Sequence, residues 1–241
     1  MSAFLEIDHV SKTFGGVAAN VDVTFDVAEG EILGLIGPNG AGKTSLFNSI
    51  GGEVSPDRGM VRLAGRRISG QGPVACARAG VARTFQVVRS FDSMTVLENT
   101  MVGAFARRGG QRAAMLKAEQ VLEFCGLSAR IDAPAHQLTP PEKRRLEIAR
   151  ALAMEPRVLL LDEMLTGLTP TEAASGVALV RAVRDTGVTI LMVEHVMEIV
   201  LPLVDRAVVL NLGRVLMQGS PAEVVRHPDV IRAYLGDRYA A

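Results

Sequence analysis

The sequence predicts an α/β fold: a mostly parallel sheet, an antiparallel β layer at the N-terminus, and an inserted helical subdomain. Three observations carry this expectation. Short continuous apolar runs at 32–36, 158–161 and 190–193 have the composition of strands covered on both faces by helices. Helical stretches at 43–50, 113–124, 140–154 and 171–186 fall around them and give the alternation of an α/β sheet. The stretch from about 87 to 155 holds helical patterns and no good strand, which reads as an insertion into the core.

In chain order, Leu5 and Ile7 begin a period-2 pattern, and Val21, Val23, Phe25 and Val27 repeat it, as half-buried strands do. Together they predict the antiparallel layer. Near the end, residues 211–213 (Asn-Leu-Gly) separate two apolar runs and read as a hairpin before two short terminal helices. The predicted division is an α/β core from 1–86 and 156–241 with a helical subdomain at 87–155. A chain of 241 residues is long enough for one core with such a subdomain.

Composition excludes several classes. Lys and Arg number 26 and so do Asp and Glu, so no net field draws the chain to nucleic acid or to an anionic bilayer, and nucleic acid is not an expected partner. The longest apolar runs fall far short of the roughly 18 residues that read as a membrane span. The opening MSAFLEIDHV lacks the basic, apolar, small-residue order of a secretion signal, so a cytoplasmic protein is expected. Cys76 and Cys125 have neither metal spacing nor the density of a disulfide scaffold and are expected as core thiols. The absence of Trp and the low aromatic content speak against base-stacking platforms.

The residues that carry chemistry begin with Gly37-Pro38-Asn39-Gly40-Ala41-Gly42-Lys43-Thr44, which matches G-x-x-x-x-G-K-[ST] at every fixed position and lies between a buried strand and a helix. Such a loop wraps its N–H groups around a β-phosphate, and glycine lets the backbone approach closely. Lys43 is expected on the β- and γ-phosphates, the Thr44 hydroxyl on Mg²⁺, and Ser45 follows at the helix start, where the helix dipole adds to the cradle. A plain Gly-rich turn would not require the Lys-Thr pair.

A second apolar strand, RVLLLDEM, ends in Asp162 and Glu163. Adjacent carboxylates at a buried strand end need a cation partner, and Mg²⁺ is the expected one, with Asp162 on the metal side. Glu163, one residue farther out, is positioned to polarise a water that attacks the γ-phosphate. A third apolar strand ends at His195, which is expected near the γ-phosphate; His9, His136 and His227 read as structural.

The order of these motifs resembles the nucleotide-binding subunits of ABC transporters over essentially the whole chain. The resemblance implies that Phe14 stacks on adenine, that Gln86 in "TFQ" senses Mg²⁺ and the membrane partner, and that His195 contacts the γ-phosphate. The stretches "FGGVAANVDVTFDVAEGEILGLIGPNGAGKTSLFNSIGG", "RTFQ", "MTVLENTMVGA", "RRLEIARALA" and "HPDVIRAYLG" are similar to the ATPases of branched-chain amino acid importers, which share much with importers of amides and urea. Implied partners are ATP, a second ATPase subunit in a head-to-tail dimer, transmembrane permease subunits and, indirectly, an extracytoplasmic solute-binding protein. The implied location is peripheral, on the cytoplasmic face of the inner membrane. The segment RSFDSMTVLENTM is implied to receive a short permease helix, with Phe91, Met94 and Val96 as contacts.

One segment departs from the family pattern. Where the family has a signature close to L-S-G-G-Q, this chain has Leu138-Thr139-Pro140-Pro141-Glu142, Leu168-Thr169 stands where Asp or Asn is usual, and Met164 stands where Pro usually follows the acidic pair. Thr139 and Glu142 fit a capping box, and proline suits a first helical turn. The prolines remove two amide donors for a phosphate and leave the Thr139 hydroxyl and the dipole. Because the family signature acts on the partner's nucleotide, a heterodimer with one strong and one weaker site is expected. Soluble ABC proteins of repair or translation, with paired units or long coiled-coil insertions, fit this chain less well. A simple kinase would not need Gln86, the Leu138 segment or His195, and a binding-only regulatory subunit would not need Glu163.

Overall fold

The computed structural model describes residues 3–85, 90–107 and 109–235. Two sheets organise it. The first is antiparallel, in the order β2-β1-β4-β5, from β1 (Leu5–Phe14), β2 (Val17–Val27), β4 (Arg58–Leu63) and β5 (Arg66–Arg67). The second runs β10-β9-β3-β8-β7-β6, from β3 (Ile32–Ile36), β6 (Val81–Arg83), β7 (Val158–Asp162), β8 (Thr189–Val193), β9 (Arg206–Asn211) and β10 (Arg214–Gly219). All its pairings are parallel except β10 with β9, the hairpin expected around Leu212.

The apolar runs become strands for the reason their composition suggested: every residue of β3, β7 and β8 is buried. Alternate residues of these strands feed two different cores. Leu33, Leu35, Leu160, Leu191 and Val193 pack with Leu46, Phe47 and Ile50 of α1 (Lys43–Gly51) and with Leu5, Ile7, Val23 and Phe25 of the antiparallel sheet. Ile32, Ile36, Leu159, Leu161, Ile190 and Met192 pack with Leu179, Val180 and Val183 of α6 (Pro170–Asp185) and with Val121, Leu122 and Leu146 from the helical stretch. The parallel sheet is thus the middle layer.

Between β6 and β7 lie α3 (Val96–Ala104), α4 (Gln111–Phe124) and α5 (Pro140–Ala153), and α2 (Pro73–Ala79) precedes β6. The short helix α7 (Met197–Val200) lies between β8 and β9, and the terminal helices α8 (Pro221–Arg226) and α9 (Pro228–Leu235) follow β10. Gly103 of α3 is small for a reason: a Cβ there would lie 2.1 Å from the Arg150 carbonyl oxygen, so α3 and α5 pack backbone to backbone. Cys76 and Cys125 are buried, as expected, and burial pushes the Cys125 thiol up to about 12.

Val96 corrects an expectation. It is fully buried at the start of α3, inside the main core, so it cannot be a permease contact. Thr95 caps that helix with Glu98, and the apolar residue next to the cap turns inward. Phe91 is 48% exposed, and the Arg150 guanidinium lies 5.8 Å from its ring centroid. Met94 is half-buried. Among the described residues no helix is long and apolar enough to cross a membrane.

Candidate functional site

The loop between β3 and α1 is shaped by glycines that no other residue can replace. Gly37 and Gly42 adopt φ of 149° and 100°, and a Cβ on them would lie 2.1 Å from the Leu210 carbonyl oxygen and 2.2 Å from that of Ala19. Gly42 is also the cap of α1 and supplies no side-chain hydrogen bond, so the first amides of that helix face outward without a protein cap. The Lys43 ammonium is buried and donates to the carbonyls of Gly37 at 2.7 Å and Pro38 at 3.0 Å, closing the loop on itself. Burial holds its pKa below the usual lysine range, while Glu163 and Asp162 oppose that shift. The β9–β10 turn braces the loop from behind, since the Gly213 N–H donates to the Ala41 carbonyl at 3.0 Å.

A cavity of about 310 Å³ opens on this loop. It is lined by Asn39, Gly40, Ala41, Gly42, Lys43, Thr44 and Ser45, by Glu163 and His195 from the ends of two other strands, and by Val17, Ala18 and Ala19. Sequence reasoning brought the first nine together and missed the last three. Their signal was the start of β2, where small residues and an exposed Val17 interrupt the apolar alternation. Phe14 does not line the cavity, but it pairs with Val17 across the β1–β2 hairpin and is 44% exposed, with Lys12 Nζ 5.4 Å from its ring centroid. Gly37 and Pro38 sit behind the lining as acceptors for Lys43. Gln86 lies outside the described residues.

Asp162 is buried at the end of β7, and the expectation of a cation partner is met here by a side chain. Arg83 of β6 donates from Nη2 to Asp162 Oδ2 at 2.8 Å. The same guanidinium donates from Nη1 to Asn48 of α1 at 2.6 Å and pairs with Glu53. It therefore ties the phosphate-loop helix, β6 and the acidic strand together. Sequence reasoning did not single out Arg83, because β6 is only three residues long and carries no periodic signal.

Glu163 has φ of 51°, a left-handed backbone that costs a non-glycine residue roughly 1–2 kcal/mol. Its carboxylate lies 2.5 Å from His195 Nε2. A carboxylate and an imidazole thus meet at the mouth of the phosphate loop, which is an arrangement able to hold a water and move its proton. Glu194, next to His195, is buried and accepts from the Leu165 N–H and the Thr166 hydroxyl.

Thr139 lies outside the cavity lining, at the start of α5. Its N–H and its hydroxyl both donate to Glu142 Oε2, at 2.8 and 2.9 Å, with Pro140 and Pro141 in the first turn. The hydroxyl expected to serve a partner's phosphate therefore spends its proton on its own helix. Thr169-Pro170-Thr171-Glu172 and Ser220-Pro221-Ala222-Glu223 start α6 and α8 in the same way, so the prolines follow this chain's general way of starting a helix. The Thr139 N–H holds the Glu142 carboxyl below its ordinary range. A depressed carboxylate stabilises the fold above its unfolded pKa, and that stability is lost as pH falls through the folded pKa. Glu142→Ala is expected to cost about 1 kcal/mol at pH 7, the scale of a lost cap. Melting curves should show that difference shrinking at acid pH.

A phosphate cradle at a strand-to-helix turn, with an acidic strand end and a strand-end histidine facing it, defines a nucleotide-hydrolysing cassette. Residues 21–166 match the family model for the ABC transporter, and residues 214–240 match the model described as the branched-chain amino acid ATP-binding cassette transporter. The chain belongs to the ABC transporter family, as an ATP-binding and ATP-hydrolysing subunit. Two curated relatives are particularly informative. The chain is 40% identical to the high-affinity branched-chain amino acid transport ATP-binding protein BraF of Pseudomonas aeruginosa, covering 97% of this chain and 98% of the relative. It is also 40% identical to LivG of Salmonella typhimurium, which carries the same description, with the same coverage. A crystal structure of a nucleotide-free ATP-binding cassette from an ABC transporter superposes with a TM-score of 0.90 at 29% identity, over 98% of this chain and 100% of that one.

Proposed function

We propose that this chain hydrolyses ATP to energise the import of branched-chain or related amino acids through a separate membrane permease. Its core, 1–86 and 156–241, binds the nucleotide, and its helical subdomain, 87–155, meets the permease. The observation that carries the hydrolytic part is the convergence of the phosphate loop, Glu163 and His195 on one cavity. Near full-length similarity to two proteins named for branched-chain amino acid transport supports the solute.

In this reading ATP enters as substrate with its phosphates in the loop 37–44 and its adenine against Phe14. Lys43 exchanges the Gly37 and Pro38 carbonyls for phosphate oxygens, so its charge stays partnered throughout. The residues that would hold a hard cation are the Thr44 hydroxyl at the cavity and the Asp162 carboxylate, which is paired with Arg83 and would exchange that partner, with Gln86 completing the set by resemblance. Mg²⁺ bound there supplies neutralisation of charge on the β- and γ-phosphates. Glu163 accepts the proton of the attacking water, and His195 orients the Glu163 carboxylate and the γ-phosphate.

The chain acts as a peripheral subunit on the cytoplasmic face of the membrane, in a head-to-tail dimer with a different ATPase subunit, and a solute-binding protein delivers to the permease. Pro140 and Pro141 weaken the partner's site. Replacing both with glycine should raise turnover at the partner's site by up to about 10²-fold, the scale of a restored transition-state donor, and turnover of the assembled complex by up to about twofold, while lowering the melting temperature. Unchanged turnover contradicts the weak-site reading. Co-purification tests the assembly: permease subunits and a second ATPase should come down with this chain, and recovery of a homodimer with two equal, fast sites contradicts the heterodimer.

A further inference from the structure

The backbone on either side of Glu163 is held by β8 and by the Glu194 side chain. Left-handed φ at a non-glycine residue persists only where the surroundings over-determine it. On one side the Glu163 N–H donates to the Val193 carbonyl at 2.9 Å. On the other, the Leu165 N–H donates to Glu194 Oε1 at 2.5 Å and the Thr166 hydroxyl donates to Glu194 Oε2 at 2.9 Å. Each oxygen of Glu194 thus holds one group of the stretch that immediately follows Glu163. The Thr166 carbonyl accepts in turn from Arg144 of α5 at 2.5 Å, so the brace reaches the helix that begins at Thr139.

Glu194 is only 1% exposed. A carboxylate is an expensive group to bury for packing alone, and a Leu or Met would fill the same space without the desolvation cost. Burial pushes its pKa up, and the Leu165 and Thr166 donors pull the other way, in favour of the charged form that can accept from both.

We propose that Glu194 is a positioning residue for the hydrolytic base. By gripping the Leu165 N–H and the Thr166 hydroxyl, it keeps Glu163 in its left-handed conformation and its carboxylate aimed into the cavity. The inference rests on reading Glu163 as the base.

The test is steady-state ATP turnover of the complex co-purified with this chain. Glu194→Ala is expected to lower kcat by about 10²-fold, the scale of a misaimed catalytic group, with KM for ATP within about twofold. Glu194→Gln keeps a carbonyl acceptor for the Leu165 N–H and should recover about tenfold of that loss. Wild-type kcat in Glu194→Ala overturns the proposal, and so does a loss confined to KM or a loss that glutamine does not relieve. Should Glu194→Ala fail to fold, Glu194→Gln and Thr166→Val carry the test. Each is expected to lose kcat by about tenfold at unchanged KM, and wild-type kcat in both overturns the proposal. Glu163→Gln, measured in parallel, separates the two levels. If it retains turnover, the base assignment falls and the proposal with it. If it is inactive while Glu194→Ala is not impaired, only the role of Glu194 falls.

Discussion

Glu163→Gln should abolish ATP turnover while leaving ATP binding intact. The amide keeps the shape of the side chain and can still meet His195, but it cannot take a proton from water. Loss of a positioned general base is worth about 10²–10⁴-fold in rate. No residue of the phosphate loop is altered, because Glu163 reaches the cavity from the end of β7. Phosphate release measured beside the affinity for a fluorescent ATP analogue checks both halves. Turnover above a tenth of wild type contradicts the assignment, and so does a parallel loss of binding.

Lys43→Ala is expected to act at the opposite step and remove binding. The ammonium lies under the loop, 6% exposed, held by two carbonyls that a bound phosphate would replace. A hydrogen bond to a charged group contributes about 1.5–3 kcal/mol, so its loss weakens the ATP Kd by about 10- to 10²-fold. The Gly37 and Pro38 carbonyls also lose their donor, which loosens the empty loop. Titration with the fluorescent analogue reads the first effect and thermal melting without nucleotide reads the second. Wild-type affinity in Lys43→Ala contradicts the cradle as drawn.

Much of this site was legible in the sequence because its parts are local. The phosphate loop is a contiguous motif whose glycines are dictated by close backbone approach. Asp162, Glu163 and His195 stand at the ends of runs that burial makes continuously apolar. Parallel topology then carries these separate strand ends to one edge, so strand recognition amounted to site recognition. What sequence reasoning missed is non-local or too short to have a period. The strands β4, β5 and β6 have six, two and three residues and were not expected. Arg83 and Glu194 stand out only once the fold places one on Asp162 and the other on the loop after Glu163. Val96 was misjudged because apolar residues among polar ones in a capped helix start look alike whether they face inward or outward. The Thr139 capping box was legible, while the commitment of its hydroxyl to Glu142 required coordinates.

The central claim is that hydrolysis by this chain drives solute across a membrane. Reconstituting the co-purified complex into vesicles, with ATP on the face that carries this chain and labelled leucine and the solute-binding protein on the other, tests it most directly. Leucine should cross toward the ATP side with the wild-type chain and stop with Glu163→Gln. Leucine movement that persists with Glu163→Gln, or full ATP hydrolysis by the wild type without any leucine movement, would contradict the account.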